Sequence, residues 1–284
     1  MQLARIIDGA QEEFAVRQRD TDHWMPISGL GIDARSTRDV IEHWDELVSA
    51  LPQSRAAIAP DIALGCPVVA PGKILAIGLN YLDHIKETGA TRPERPIVFA
   101  KYPSALAGPA QDTLHDPSLT AKLDYEAELA VVIGRPSRRL TRDTAMDAVF
   151  GYAVANDISA RDLQVTDAQF SRSKSFDTFC PIGPWITTAD GVPSPEDLSI
   201  RSSVNGEVRQ NSSTGQMLFG IVDLLVFLSS TMTLWPGDVI LTGTPPGVGL
   251  GFNPPRFLAA GDVVECAIEG LGSIRNRVVL DASG

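Results

Sequence analysis

Hydrophobic and polar positions alternate over much of this chain, and the alternation predicts more strands than helices. Residues 2–7 and 13–19 alternate on either side of Asp8-Gly9, the pattern of a small hairpin. Ser36 to Leu51 has helical spacing instead. Val40, Ile41, Trp44, Leu47, Val48 and Leu51 fall on one face, and Ser36 with Asp39 resembles a capping box. Residues 52–73 are rich in Pro and Ala and read as a linker, which places a boundary near 66–70. The chain is therefore expected to divide into a small accessory α+β domain, residues 1–66, and a larger domain, residues 70–284.

In the larger part, Lys73–Gly78 and Pro96–Ala100 read as short strands, with a loop over Thr91–Pro96. Leu123–Gly134 and Val149–Asp157 read as long apolar strands joined through a short helix at 141–149. A polar loop over 171–177 should precede a strand near 184–188. Asn205-Gly206 marks a hairpin over 199–210, and 214–229 reads as an apolar core helix. A last hairpin over 261–280 turns at Gly270-Leu271-Gly272. The class this order predicts is α+β.

Composition narrows the function. The chain has 284 residues, 44% of them hydrophobic, enough for a sizeable core. A net charge of −11 argues against nucleic acid or an anionic membrane as partner. The longest apolar stretch, Phe219 to Leu228, is too short to span a bilayer and contains Asp223. Asp8, Glu12 and Glu13 precede any useful apolar run, so no secretory signal is expected. Cys66, Cys180 and Cys266 are odd in number and scattered, which suits a reducing, cytoplasmic compartment.

Chemistry concentrates in Leu123–Gly134. Side chains alternate along a strand, so Glu126 and Glu128 share a face about 6–7 Å apart. Two carboxylates on a mostly apolar segment repel and are costly to desolvate, and a cation removes both penalties. Asp157 ends the next apolar strand and joins them if the two strands pair. Three carboxylates without His or Cys suit a hard cation such as Mg²⁺, Mn²⁺ or Ca²⁺ rather than Zn²⁺. The competing reading is an edge strand with its glutamates in water.

Other candidates are weaker by spacing alone. His84 and Glu87 lie three apart, so one helical turn would set a carboxylate beside an imidazole, the arrangement of a general base. An exposed turn with an incidental ion pair has the same spacing. Lys101 ends a strand; Arg161 and Gln164 follow Asp157 closely enough to project near a metal. Gly243–Gly249 lacks the Lys-Ser/Thr ending of a phosphate-binding loop, yet can present backbone N–H groups and Thr244 to a ligand oxygen.

Taken in order, these pieces resemble the fumarylacetoacetate hydrolase family in its short bacterial two-domain form. The matching run covers roughly residues 70 to 280. It comprises Gly78-Leu79-Asn80-Tyr81 with His84 and Glu87, Phe99-Ala100-Lys101 with Ser104, and Asp124-Tyr125-Glu126-Ala127-Glu128-Leu129. It continues with Asn156-Asp157, Ser159-Ala160-Arg161-Asp162 and Gln164, then Lys174-Ser175-Phe176-Asp177, and closes with Thr242 to Gly249.

The resemblance implies a mixed, β-rich roll with the site at its mouth, in a homodimer. It implies Mg²⁺ or Mn²⁺ held by Glu126, Glu128 and Asp157, with Ca²⁺ able to replace them in a crystal. Larger animal members supply a fourth acidic ligand and take the catalytic Glu from elsewhere; this chain has no carboxylate at the matching upstream position. That favours a His84–Glu87 dyad on a short helix that orders over substrate. The implied substrate is a small keto acid, a 2,4-diketo acid (acylpyruvate) cleaved to pyruvate and a carboxylic acid by water activated at His84. Lys174 joins the catalytic set; Asn80, Tyr81, Lys101, Arg161, Gln164 and Thr244 are the implied substrate contacts. A β-keto acid decarboxylase or keto–enol isomerase would use the same site, and a non-catalytic keto-acid-binding protein would keep the metal without needing the base.

Overall fold

In this computed structural model, residues 1–18, 21, 23–51, 58–59 and 61–282 are described. The chain begins with β1 (Gln2–Asp8), β2 (Gln11–Arg17) and β3 (Met25–Pro26), then α1 (Thr37–Glu42), α2 (Trp44–Ala50) and β4 (Ala63–Gly65). β5 (Ile74–Gly78) leads into α3 (Leu82–Thr88) and β6 (Ile97–Lys101), followed by β7 (Leu106–Ala107), β8 (Thr113–His115) and β9 (Leu123–Asp124). Next come β10 (Ala127–Ile133), β11 (Val149–Asn156), β12 (Ser159–Ala160), α4 (Arg161–Thr166), α5 (Phe170–Ser173) and β13 (Cys180–Thr188). The last elements are β14 (Ser199–Val204), β15 (Glu207–Ser213), α6 (Ile221–Thr231), β16 (Val239–Leu241), β17 (Val263–Ile268) and β18 (Gly272–Leu280).

Most strands join one eleven-stranded mixed sheet whose path runs β3-β2-β1-β13-β11-β10-β16-β5-β6, with β4 on β1 and β7 on β13. A five-stranded sheet, β15-β14-β17-β18-β8, packs near it. The near-continuous apolar runs of β10 and β11 have their reason here: every residue of both strands is buried, as in strands covered on both faces. The β-rich roll expected from the resemblance is the observed fold. Described residues among the first 66 pack into it. β1 pairs with β13, and Leu3, Phe14, Val40 and Leu47 belong to the same buried core as β10 and β11.

Several elements differ from expectation. The helix over 36–51 breaks at His43, whose backbone leaves helical geometry while its N–H and its ring Nδ1 both bond the Asp39 carbonyl. Trp44 restarts the helix and sets its ring edge-on to Phe150 at 4.9 Å; Val48 turns outward instead of inward. The Ser36–Asp39 capping box is present. Within the expected linker, residues 52–57 and 60 lie outside the described residues, and β4 pairs with β1 rather than spanning space.

The helix expected at 141–149 shrinks to turns and a 3₁₀ turn at Met146–Ala148. Thr141 and Thr144 bond each other and nearby backbone, which competes with helical hydrogen bonds. Helix α6 starts at Ile221, not 214, because Glu196 and Asp223 take the N–H groups of Ile221 and Gly220. The polar loop over 171–177 begins inside the short helix α5. Both hairpins stand, and Asn205 (φ 52°) with Gly206 (φ 82°) has the positive φ values of the expected turn. No helix among the described residues is long and apolar enough to cross a membrane.

Candidate active site

The acidic strand is interrupted at its chemistry. Between β9 and β10, Tyr125 and Glu126 leave the ladder, and the Glu126 N–H donates to the Asn156 side chain at 2.9 Å. β10 and β11 run antiparallel with Ala127 opposite Asn156, and one residue further the Asp157 N–H donates to the Glu126 carbonyl at 2.8 Å. This register gathers the side chains. Carboxylate oxygens of Glu126, Glu128 and Asp157 all lie within 4.8 Å of one another, and all three residues are buried.

Their charges are handled unequally. Burial works against the Glu126 charge, but Lys174 and Arg161 outweigh it and bring its pKa down to about 2. The Lys174 ammonium lies 2.8 Å from Glu126 and 2.7 Å from Asp157, and Arg161 Nη1 lies 2.7 Å from Glu126. Among the described residues Glu128 receives only the Gly243 N–H, at 2.8 Å. Burial, then Asp157 and Glu126, push its pKa well above the ordinary value. Among the described residues Lys101, Lys174 and Arg161 bond Glu126 and Asp157 but not Glu128, in an all-oxygen set that suits Mg²⁺, Mn²⁺ or Ca²⁺.

Opposite lies the dyad. Helix α3 follows the sharp bend at Leu79 (φ 50°) and ends at Gly89 (φ 64°). His84 Nδ1 sits 2.9 Å from Glu87 Oε2, and the other Glu87 oxygen accepts the Gly247 N–H at 2.8 Å. Nδ1 is so occupied, and Nε2 is the ring nitrogen left for substrate. Asp83 on the same helix accepts the Ser212 hydroxyl from β15.

Between floor and helix is a cavity of about 520 Å³, lined by His84, Glu87, Glu126, Glu128, Arg161, Gln164, Lys174 and Thr244 together with apolar side chains. Arg161 is held by Asp124 through Nε at 2.8 Å and reaches Gln164 at 3.1 Å, while its buried Nη2 has no hydrogen-bond partner. Thr244 uses its hydroxyl internally, donating to the Ala127 carbonyl and accepting from Gln210.

Three expected substrate contacts are turned into the protein instead. Lys101 Nζ bonds Asp157 at 2.5 Å and the Ile158 carbonyl, behind the triad. Asn80 bonds Phe219 and Thr242 on both ends of its amide and so fixes the bend into α3. Gly243 permits this approach, since a Cβ there would lie 2.8 Å from the Asn80 Cβ. Tyr81 is fully buried, and burial pushes its hydroxyl pKa up.

Asp124 is the residue that sequence reasoning left without a role. Fully buried, it accepts the N–H groups of Gly249 at 2.6 Å and Leu250 at 3.0 Å as well as Arg161. It thereby anchors the glycine loop whose Gly247 holds Glu87. Its signal was present: Asp124 continues the alternation of Glu126 and Glu128 by two more residues.

A β-rich roll carrying three buried carboxylates and a His–Glu pair across one cavity defines the class. The model of the fumarylacetoacetate (FAA) hydrolase C-terminal domain matches residues 73–279, and the chain belongs to that family. A Xenopus laevis protein named oxaloacetate tautomerase fahd2, mitochondrial, is 48% identical over 221 residues, 77% of this chain and 69% of that one. The solved fumarylacetoacetate hydrolase of Exiguobacterium antarcticum is 38% identical with a TM-score of 0.90, covering 99% of this chain and 100% of its own. A maleylpyruvate hydrolase from Sphingobium sp. SYK-6, solved with manganese(II) and pyruvate, is 33% identical with a TM-score of 0.81, covering 99% of both chains. These relatives are enzymes, a tautomerase among them as well as hydrolases.

Proposed function

We propose that this protein is a divalent-metal-dependent enzyme that enolises 2-keto acids, with keto–enol tautomerisation as its reaction and hydrolysis of an acylpyruvate as the second reading. The observation that carries it is the presence in one cavity of an oxygen-only triad, whose Glu128 bonds no cation among the described residues, and of a His–Glu base. The 48% identity to an oxaloacetate tautomerase supports placing tautomerisation first. The manganese and pyruvate of the 33% identical maleylpyruvate hydrolase support the second reading and the choice of Mg²⁺ or Mn²⁺. A homodimer of cytoplasmic location is part of the same proposal, on the family resemblance.

A cation held by Glu126, Glu128 and Asp157 would supply Lewis acidity to the keto oxygen and the adjoining carboxylate. The chain's own groups do the rest. Glu87 accepts from Nδ1 of His84 and favours its basic tautomer, so Nε2 takes the proton from C3 of the keto form or returns it to C3 of the enol. Lys174, which lines the cavity beside the triad, exchanges the proton carried by the enol oxygen. Arg161, which lines the cavity beside Glu126, would face the substrate carboxylate. In hydrolysis, Nε2 takes a proton from water instead; the oxygen adds to C4, the C3–C4 bond breaks to release a carboxylic acid, and the proton on Nε2 passes to C3 to give pyruvate.

The test follows enol absorbance and pyruvate release from oxaloacetate and acylpyruvates, with EDTA, with Mn²⁺ and in His84→Ala. Metal-dependent enolisation lost in the variant supports tautomerisation, and pyruvate from acylpyruvates moves the assignment to hydrolysis. Bound Mn²⁺ with no turnover of any substrate would sink both and leave a keto-acid-binding protein.

A further inference from the structure

The Glu87 carboxylate meets a loop as well as its own helix. One oxygen takes His84 Nδ1 at 2.9 Å, and the other takes the Gly247 N–H at 2.8 Å. Four residues on, Gly251 lies against the same carboxylate, where a Cβ would stand 2.7 Å from its carbon. The Gly251 N–H also bonds back to the Val248 carbonyl at 2.9 Å, so the stretch from 247 to 251 closes on itself beside Glu87. The partner on one ring nitrogen of a histidine decides where the ring proton sits and how the ring is turned. His84 takes its orientation from Glu87, and Glu87 takes its own from this loop.

The loop in turn is held by the residues just before the ligand Glu126. Asp124 accepts the N–H groups of Gly249 and Leu250. Tyr125, next in the chain, is fully buried and donates its hydroxyl to the Gly247 carbonyl at 2.9 Å. Gly247 therefore has its N–H on Glu87 and its C=O on Tyr125. Its φ is 100°, and a Cβ there would lie 2.0 Å from the Arg209 carbonyl, so strand β15 backs it directly. With both polar groups bonded and a strand behind it, Gly247 has little freedom to turn.

Shape alone does not call for a tyrosine at this position, since phenylalanine would fill the same space without a hydroxyl. A second buried tyrosine gives the contrast: the Tyr81 hydroxyl has no hydrogen-bond partner among the described residues. The Tyr125 hydroxyl is spent on the residue whose N–H holds Glu87.

Resting on the reading of His84 and Glu87 as the base of enolisation, we propose that Tyr125 is a positioning residue for His84: through the Gly247 carbonyl it fixes the N–H that holds Glu87, and so sets the tautomer and direction of the imidazole. Tyr125 is not part of the cavity wall, so it acts through Glu87 and not on substrate. Asp124, Tyr125 and Glu126 are consecutive, which ties the loop under the base and a metal ligand to one short segment.

The test is Tyr125→Phe, which removes the hydroxyl and keeps the ring. The chain has four histidines, so the ring ¹⁵N signals of His84 can be assigned by comparison with His84→Ala. Above neutral pH, wild type should show His84 with its proton on Nδ1, and the variant should show a second population protonated on Nε2. On oxaloacetate with Mn²⁺, kcat should fall by about tenfold, as when other outer partners of a site residue are removed. KM and Mn²⁺ affinity should stay at the wild-type values. Unchanged His84 signals, or an unchanged kcat, overturn the proposal. A matching loss of Mn²⁺ affinity overturns it as well, because Tyr125 would then act on Glu126. No enolisation by Mn²⁺-loaded wild type, with the tautomer change still present in the variant, sinks the enolisation reading and upholds the link from Tyr125 to His84.

Discussion

Glu126, Glu128 and Asp157 stand on or beside β10 and β11, in the middle of an eleven-stranded sheet and wholly buried. His84 and Glu87 stand on a helix of seven residues with no side-chain N-cap. A helix of that length is not stable alone, since isolated helices shorter than about 12–15 residues are marginal in water. Helix α3 is held by the Gly247 N–H on Glu87, the Ser212 hydroxyl on Asp83 and the Leu218 N–H on the Asn80 carbonyl. The difference separates two tasks. Metal ligands need fixed spacing, which paired strands provide, while a base over a substrate must also let substrate in and product out. A short element held by few bonds can open at low cost.

This contrast can be broken most severely from the floor. Asp157→Ala leaves Lys101 and Lys174 buried without their shared partner. Removing one side of a buried ion pair costs about 3–5 kcal/mol, so chemical denaturation should show a large stability loss, and calorimetric titration should show no Mn²⁺ binding. From the other side, His84→Ala should cost about 10²–10⁴ in turnover while Mn²⁺ affinity stays at the wild-type value. Equal loss of Mn²⁺ affinity in His84→Ala would erase the distinction between floor and helix.

Asp124 joins the two regions, so its substitution sharpens the comparison. Asp124→Asn weakens the hold on Arg161 and on the Gly249–Leu250 backbone, two and three residues beyond the amide that supports Glu87. Turnover should fall by on the order of tenfold to a hundredfold. The pH–rate profile should shift, because Glu87 is less firmly placed against His84. Faster amide exchange over residues 82–88 with unchanged Mn²⁺ affinity would assign the effect to the helix; unchanged exchange and pH profile would refute the link.

A gentler lever is pH. In the metal-free protein the Glu128 pKa is raised from 4.5 by burial and its acidic neighbours. The folded state therefore keeps a proton that the unfolded chain gives up as pH rises through about 4.5. Stability from this group declines above that point, until the raised pKa is passed. Glu126 has the opposite sign: with a pKa of about 2 it contributes stability above 4.5 that is lost as pH falls toward 2. Metal competes with the Glu128 proton, so the rise in Tm caused by Mn²⁺ should be larger at pH 7 than at pH 5. A pH-independent rise would remove Glu128 from the ligand set. The smallest effect belongs to Ser212→Ala, about 1 kcal/mol for one hydrogen bond, seen as faster exchange in α3 with global Tm nearly unchanged.

Much of the floor was legible in the order of residues. The Asp124–Glu126–Glu128 alternation, the apolar run behind it and Asp157 at the end of a second apolar run announce paired strands with carboxylates at their ends. His84 and Glu87 were legible as a pair through helical spacing alone. The roles of Lys101 and Asn80 were not. Each is polar and beside the motif residues, and only the folded chain shows that one braces Asp157 and the other clamps a bend. Helix lengths were misread where side chains such as His43, Thr141 and Glu196 take backbone hydrogen bonds that the apolar pattern does not record.

By itself, then, the order of residues determined the strand-rich class and offered the three acidic ligand candidates and the dyad, because strand and helix periods place side chains on faces without reference to anything distant. The family resemblance, not the spacing, chose them over an edge strand and an incidental ion pair. What lines the cavity was decided only by tertiary structure. Leu79, Phe99, Phe170 and Leu250 come from four separated segments. No local period relates them, and each could as well have been an ordinary core residue until the turns, the sheet register and the Asp124 anchor brought them around one space.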